Sequence, residues 1–317
     1  MGIAHWDDVE PLSLRRGPMQ LDRYDLGSAA GTKEVGVARL KLDPGGRSSP
    51  VHIELDEEEI FYVLAGSGLS WQDGKTYEVR AGDCIVHRVA WEEHTLVAGP
   101  DGIDVLAFGE RTNATASYLP RAGVVRMGVT VEVTPEPHPW DREAEAGELE
   151  LPEPSPRPSN IVHPDELEGE DDGAVFDLGI AAGSERTGIN RIALPPGEEG
   201  APPHCHSLEE EIFVVLDGSG VLELWPTPGA YRLDPEVEKE VHRLRAGHVV
   251  SRPAATRIAH YFRAEDKTFT FLAYGTRKAN DICYYPRSNK INFRGVGIIA
   301  RLESLDYYDG EPERSEI

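Results

Sequence analysis

The chain has 317 residues, with 32 basic against 56 acidic side chains and a net charge of −24. Such an excess of acid excludes nucleic acid and anionic membranes as default partners, because both call for a basic face. With 39% hydrophobic residues there is apolar material for packed cores, and the length suits two domains.

The first residues, MGIAHWDDVEP, are acidic where a secretory signal is basic and then apolar, and no run approaches the ~18–20 apolar residues of a membrane helix. Cys84, Cys205 and Cys283 are too few and too dispersed for a disulfide framework or a zinc ribbon. Their odd number fits a reducing compartment, so a cytoplasmic location is expected. Ile3-x-His5-x-Asp7 recurs as Ile161-x-His163-x-Asp165, which predicts a local turn bond and no chemistry. Short β-branched runs such as Ile60–Leu64, Ile212–Leu216 and Thr268–Ala273 stand between glycines and prolines. They predict an all-β fold in which Pro164–Leu167 opens a single helical turn.

Residues 1–133 are expected to form one β domain. They carry His52-x-Glu54-x4-Glu59-x6-Gly66, and His94 follows. Residues 134–159 are rich in Pro and acid, so an extended linker is expected there, outside any core. Residues 160–317 are expected to form the second domain. It holds His204-x-His206-x4-Glu211-x6-Gly218, with His260 further on. Alternate residues of a strand share a face, so His204 and His206 point together and Cys205 points away as an inert thiol. Glu211 has the wrong parity for one continuous strand, so a turn at Ser207–Glu210 must reset the direction. Three imidazoles and one carboxylate make a mixed nitrogen and oxygen set for one divalent transition ion, Fe, Mn, Ni, Cu or Zn. His87 and His248 match no ligand position and are read as packed or surface histidines. The remaining acids of Glu57–Glu59 and Glu209–Glu211 are read as solvated turn charges.

The two halves repeat one another. Tyr24–Gly31 aligns with Phe176–Gly183 at an offset of 152, which also pairs Glu57–Phe61 with Glu209–Phe213. After insertions the offset becomes 166, pairing His94 with His260 and Tyr118-x-Pro120-Arg121 with Tyr284-x-Pro286-Arg287. The chain is therefore a tandem duplication. The first half keeps the ligand spacing with Glu54 in place of a second His, so His52, Glu54, Glu59 and His94 are a second, weaker candidate metal site. The alternative is a structural barrel that packs against its partner. Two carboxylates there call for a cation between them or a proton on one.

The second half resembles the cupins, whose first motif reads G-x5-H-x-H-x3–4-E-x6-G and whose second reads G-x5-P-x-G-x2-H-x3-N. His204, His206, Glu211 and Gly218 meet the core of the first. Gly247 and Pro253 meet the second, while Ala255 and Ala264 stand where its Gly and Asn would be. Tyr274–Lys290 resembles the tail of a group of bacterial two-cupin-domain proteins. The resemblance implies two tandem double-stranded β-helix barrels of jelly-roll type, a bicupin with metal in the barrel mouth. Strand parity puts Phe213 and Val215 on the Glu211 face and Phe262 on the His260 face, lining an apolar substrate pocket; Arg252, Arg257 and Arg263 are candidates to grip a carboxylate. The expected function is a metal-dependent oxygenase of dioxygenase type, or a related enzyme, on a small organic acid, phenolic or enol. The alternatives are a non-catalytic ligand-binding or structural bicupin, and a sugar isomerase. The exchange at Glu54 predicts unequal barrels, with the second carrying ligand binding. Expected partners are a small molecule and, through sheet faces, further copies of the chain as a homo-oligomer.

Overall fold

A computed structural model describes residues 2–111, 115–127, 131–132, 138–171, 173–303, 305 and 308–310. Strands dominate, and among the described residues no helix exceeds the seven residues of Pro139–Glu145. Pro164–Glu166 is a single 3-10 turn, where the sequence predicts one.

Each half is a barrel built on one recurring device. Strand Glu59–Gln72 pairs with Cys84–His87 through its first residues and with Lys75–Arg80 through its last, while His94–Glu110 runs along both parts. The register shifts at Val63/Ala65 and Gly66/Gly68 bend it, so that its two ends meet different partners on the same side. Gly66 has φ +80°, and a Cβ there would lie 2.4 Å from the Gly102 carbonyl oxygen; at Gly218, with φ +75°, it would lie 2.0 Å from that of Thr268. Only glycine fits the bend in either barrel.

The runs at Ile60 and Ile212 are apolar on both faces because both faces are covered. Phe61 and Val63 point into the first barrel, Phe213 and Val215 into the second. Their neighbours Ile60, Tyr62, Ile212 and Val214 meet in a third core between the barrels, where Phe108 packs on Tyr274 at 5.0 Å.

The barrels also exchange their leading strands. Gly2–His5 pairs with His248–Arg252 of the second barrel, and Ile161–Val162 with Cys84–His87 of the first. His5 and His163 make the expected turn bonds, accepting at Nδ1 from the Asp7 and Asp165 amides. That fixes the ring proton on Nε2, which donates across the exchange to Ala246 and Ala81. Gly82 and Gly247, both at φ +94°, leave room for those rings.

The middle acids of the two triplets are not solvated. Glu58 and Glu210 are each 1% exposed. Glu58 accepts from the Glu185, Arg186 and Thr187 amides and from two hydroxyls of the other half. Glu210 accepts from the Lys33, Glu34 and Val35 amides in return. The strand that follows each acid is central to its own barrel, so the carboxylate is carried to the seam, where three unpaired amides wait for it.

Of the expected linker, residues 138–159 are not an extended tether, while 134–137 lie outside the described residues. Pro139 starts a helix, the one place where a missing amide costs nothing. That helix buries Glu143 completely between Arg47 (2.9 Å) and Arg121 (2.8 Å). Beyond it the chain hugs the first barrel, with Trp71 Nε1 donating to Glu150 and Thr76 Oγ1 to Pro152. A segment without a core of its own satisfies its backbone on the nearest sheet edge.

Candidate metal centres

In the second barrel His204 lies opposite His260 in a two-way backbone pair, His206 lies in the short strand Cys205–His206, and Glu211 opens strand Glu211–Asp217. The structure brings all four together. The Nε2 atoms of His204, His206 and His260 stand 4.0, 3.4 and 3.1 Å from Glu211 Oε2. Two rings are oriented from behind: His204 Nδ1 donates to the Pro202 carbonyl at 2.8 Å and His206 Nδ1 to Asp281 Oδ2 at 2.7 Å. Each proton on Nδ1 leaves a lone pair on Nε2, aimed inward. Glu211 Oε2 and His260 Nε2 are buried, and neither makes a hydrogen bond. A carboxylate facing three imidazole Nε2 atoms, two of them held with the lone pair inward, fits a divalent cation.

The first barrel repeats the arrangement with one change. His52 Nε2 lies 3.3 Å from Glu54 and 3.6 Å from Glu59, and His94 Nε2 lies 3.1 Å from Glu59. His52 and His94 donate at Nδ1 to the Pro50 and Glu92 carbonyls. Glu54 Oε2 is buried without a hydrogen-bond partner. Beside this set opens a cavity of about 960 Å³, walled in part by Leu21, Leu40, Phe61, Glu57 and Trp140. Sequence spacing gives no sign of it.

Charge separates the two sets. Burial depresses His260 to about 3, helped by His204, and the surrounding imidazoles outweigh the burial of Glu211 to hold its carboxyl well below the usual range. In the first set burial of His52 is outweighed by Glu54 and Glu59, which raise it to about 10. Burial, with Glu54 and Glu59 beside it, pushes Glu57 up to about 9. Two carboxylates thus favour a proton in the first set, while in the second His206 alone is raised, its burial outweighed by Glu211 and Asp281.

These shifts set an acid limit for protein stripped of metal. An unfolded His takes a proton near pH 6.5, whereas folded His260 resists until about 3, and unfolded Glu211 likewise protonates before the folded form. Stability is therefore lost as pH falls below about 6.5. His52 acts in the opposite sense, its contribution fading as pH rises from 6.5 through about 10. The urea midpoint of chelator-treated protein is expected to peak near pH 6.5 and fall on the acid side, and a midpoint flat from pH 6.5 to 4 would contradict this.

Phe213 and Phe262 lie 4.7 Å apart beneath the second set, with Phe213 5.2 Å from the His260 ring. With Val215 they are buried in the core of that barrel and form its floor. Two further groups escaped the motif. Arg252 pairs in register with Glu211 and is 3% exposed; burial lowers it to about 10 against the pull of Glu211. His87 holds the same register place opposite Glu59, stacks on His94 at 3.8 Å and meets Glu92 at 2.6 Å. Register singles out Arg252 from the three candidate arginines, and it is the signal for His87, legible only once the pairing is known. Glu209, read as a solvated charge, is 4% exposed and holds the Lys278 amide and Arg294. Burial pushes the Cys205 and Cys283 thiols up to about 11 and 12, so neither offers a thiolate, and all three cysteines are free.

Residues 38–102 match the family model described as Cupin domain. Solved structures are similar over most of the chain. Oxalate decarboxylase from Bacillus subtilis at pH 4.6 matches with a TM-score of 0.59 and 16% identity, over 86% of this chain and 75% of that one. The Lactobacillus farciminis oxalate decarboxylase formate complex matches with 0.59 and 16%, over 87% and 86%. A Bacillus subtilis oxalate decarboxylase studied for its Mn(II) centres matches with 0.58 and 15%, over 86% and 76%. Among curated protein sequences none matches. The cupin match thus falls in the first barrel, and the chain as a whole shares the two-barrel fold of these structures. No helix among the described residues is long and apolar enough to cross a membrane.

Proposed function

We propose that this bicupin is a metal-dependent enzyme acting on a small organic acid, an oxygenase or a decarboxylating relative of one, with its working ion held by His204, His206, Glu211 and His260. The observation that carries the reading is the buried convergence of Glu211 Oε2 with three imidazole Nε2 atoms, with Glu211 Oε2 and His260 Nε2 making no hydrogen bond. The likeness in fold to oxalate decarboxylases, one of them with Mn(II) centres, supports it. A bound ion would supply Lewis acidity toward a coordinated anion.

The protein's own groups support a small carboxylate as that anion. Arg252 supplies a buried guanidinium beside Glu211, suited to a carboxylate. Phe213 and Phe262 close the space below, which favours a small acid and keeps water from its far side. Three neutral imidazoles and one carboxylate leave a divalent ion at net +1, whereas Glu54 brings the first site to zero and weakens its pull on an anion. His52, Glu54, Glu59 and His94 would then favour a harder ion, with the cavity of about 960 Å³ beside them suiting a bulkier, less anionic molecule.

A panel of small mono- and dicarboxylic acids, followed by O2 uptake and CO2 release, tests this. Glu211→Gln is expected to lower turnover at least 100-fold and Glu59→Gln less than tenfold. Equal losses, or a heavier one from Glu59→Gln, would overturn the assignment to the second barrel.

A further inference from the structure

His206 is the one imidazole of the two sets shown to be backed by a carboxylate. Asp281 Oδ2 accepts from its Nδ1 at 2.7 Å, while Oδ1 accepts from the Ser207 and Leu208 amides at 3.1 and 2.9 Å and from the Ser207 hydroxyl at 3.2 Å. The Asp281 side chain is fully buried. His204, His52 and His94 lean instead on backbone carbonyls.

The repeat supplies a control within the same molecule. Glu54 stands in the place of His206, as their matching strand pairs with Ser117 and Cys283 establish, and Thr115 stands in the place of Asp281. The backing carboxylate occurs where the ligand is an imidazole, and is missing where the ligand is a carboxylate with no tautomer to fix.

We infer that Asp281 is a positioning residue that selects the metal-binding tautomer of His206. This rests on the reading that the second set holds a cation. Oδ1 is committed to the Ser207, Leu208 and Glu209 amides, so its orientation is fixed by the turn at Ser207–Glu209. Oδ2 is thereby held as a pure acceptor in front of Nδ1. The ring must then carry its proton on Nδ1 and present the Nε2 lone pair to the site. Asp281→Asn keeps the oxygen on the amides and turns its NH2 toward His206. Donor then faces donor, so the neutral ring reverses its tautomer, places the proton on Nε2 and blocks the ligand position.

Chelator-treated protein titrated with Zn(II), and followed through long-range 1H–15N correlations of the imidazoles, reads each site separately. The wild type is expected to show the Nδ1–H tautomer of His206 where the ring is neutral, and D281N the Nε2–H tautomer. Zn(II) affinity at the second set is expected to fall 10–100-fold in D281N. In an H206E background the same substitution is expected to cost less than twofold, since no tautomer remains to select. A wild type in the Nε2–H form, unchanged affinity in D281N, or an equal loss in the H206E background would each overturn the inference. A wild type that binds no Zn(II) at this set would overturn the metal reading, and the inference with it.

Discussion

Replacing Glu58 with Ala is expected to lower the unfolding free energy of the whole chain by about 3–5 kcal/mol, the range for removing one partner from a buried charged network. Glu58 collects three amides and two hydroxyls of the other half at 2.7–3.1 Å, and none of those donors gains water when the carboxylate is removed. Glu210 does the same in the opposite direction, so Glu210→Ala should cost a similar amount. Because the leading strands are exchanged and a core is shared between the barrels, the loss should fall on one cooperative transition. At roughly 2–4 °C per kcal/mol for chains of this size, the melting temperature should drop by about 10 °C. Calorimetry checks both points. A shift under about 2 °C, or melting of one barrel alone, would show that the seam does not hold the molecule together.

The second large effect concerns metal. Replacing His204 and His206 by Ala removes two of four ligands, and the remaining Glu211 and His260 cannot enclose an ion. The double variant is expected to lose the second barrel's full equivalent of metal while keeping its strands. These positions lie in a two-residue strand and a single bridge near the barrel mouth, away from the aromatic floor, so the fold should survive. Full metal content in that variant would disprove the ligand assignment.

The sequence was informative where the physics is local or periodic. Strand parity put His204 with His206 and Phe213 with Glu211, and the repeat extended each reading to the other half. It was silent where a partner arrives from elsewhere in the chain. Glu58 and Glu210 looked like turn charges because their amides lie more than 120 residues away in the other half. Asp281 stands 75 residues from His206, and nothing in the spacing joins them. Register, which fixes what lies opposite a glutamate, brings His87 into view and singles out Arg252 among the three arginines the sequence offered. The Pro-rich segment misled because Pro forbids helix interiors but favours helix starts, and Pro139 stands at a start. Some signal was available: a triplet of acids preserved at the same offset in both halves implies a task for each member, and the structure gives one to the middle acids.

The presence of an ion in the second barrel is tested most directly by elemental analysis of the wild-type chain purified without chelators, beside the His204→Ala, His206→Ala double variant. About one equivalent of a transition metal per chain or more is predicted for the wild type, with one equivalent fewer in the variant. A wild type holding less than about a tenth of an equivalent, or a variant indistinguishable from it, would contradict the metal centre.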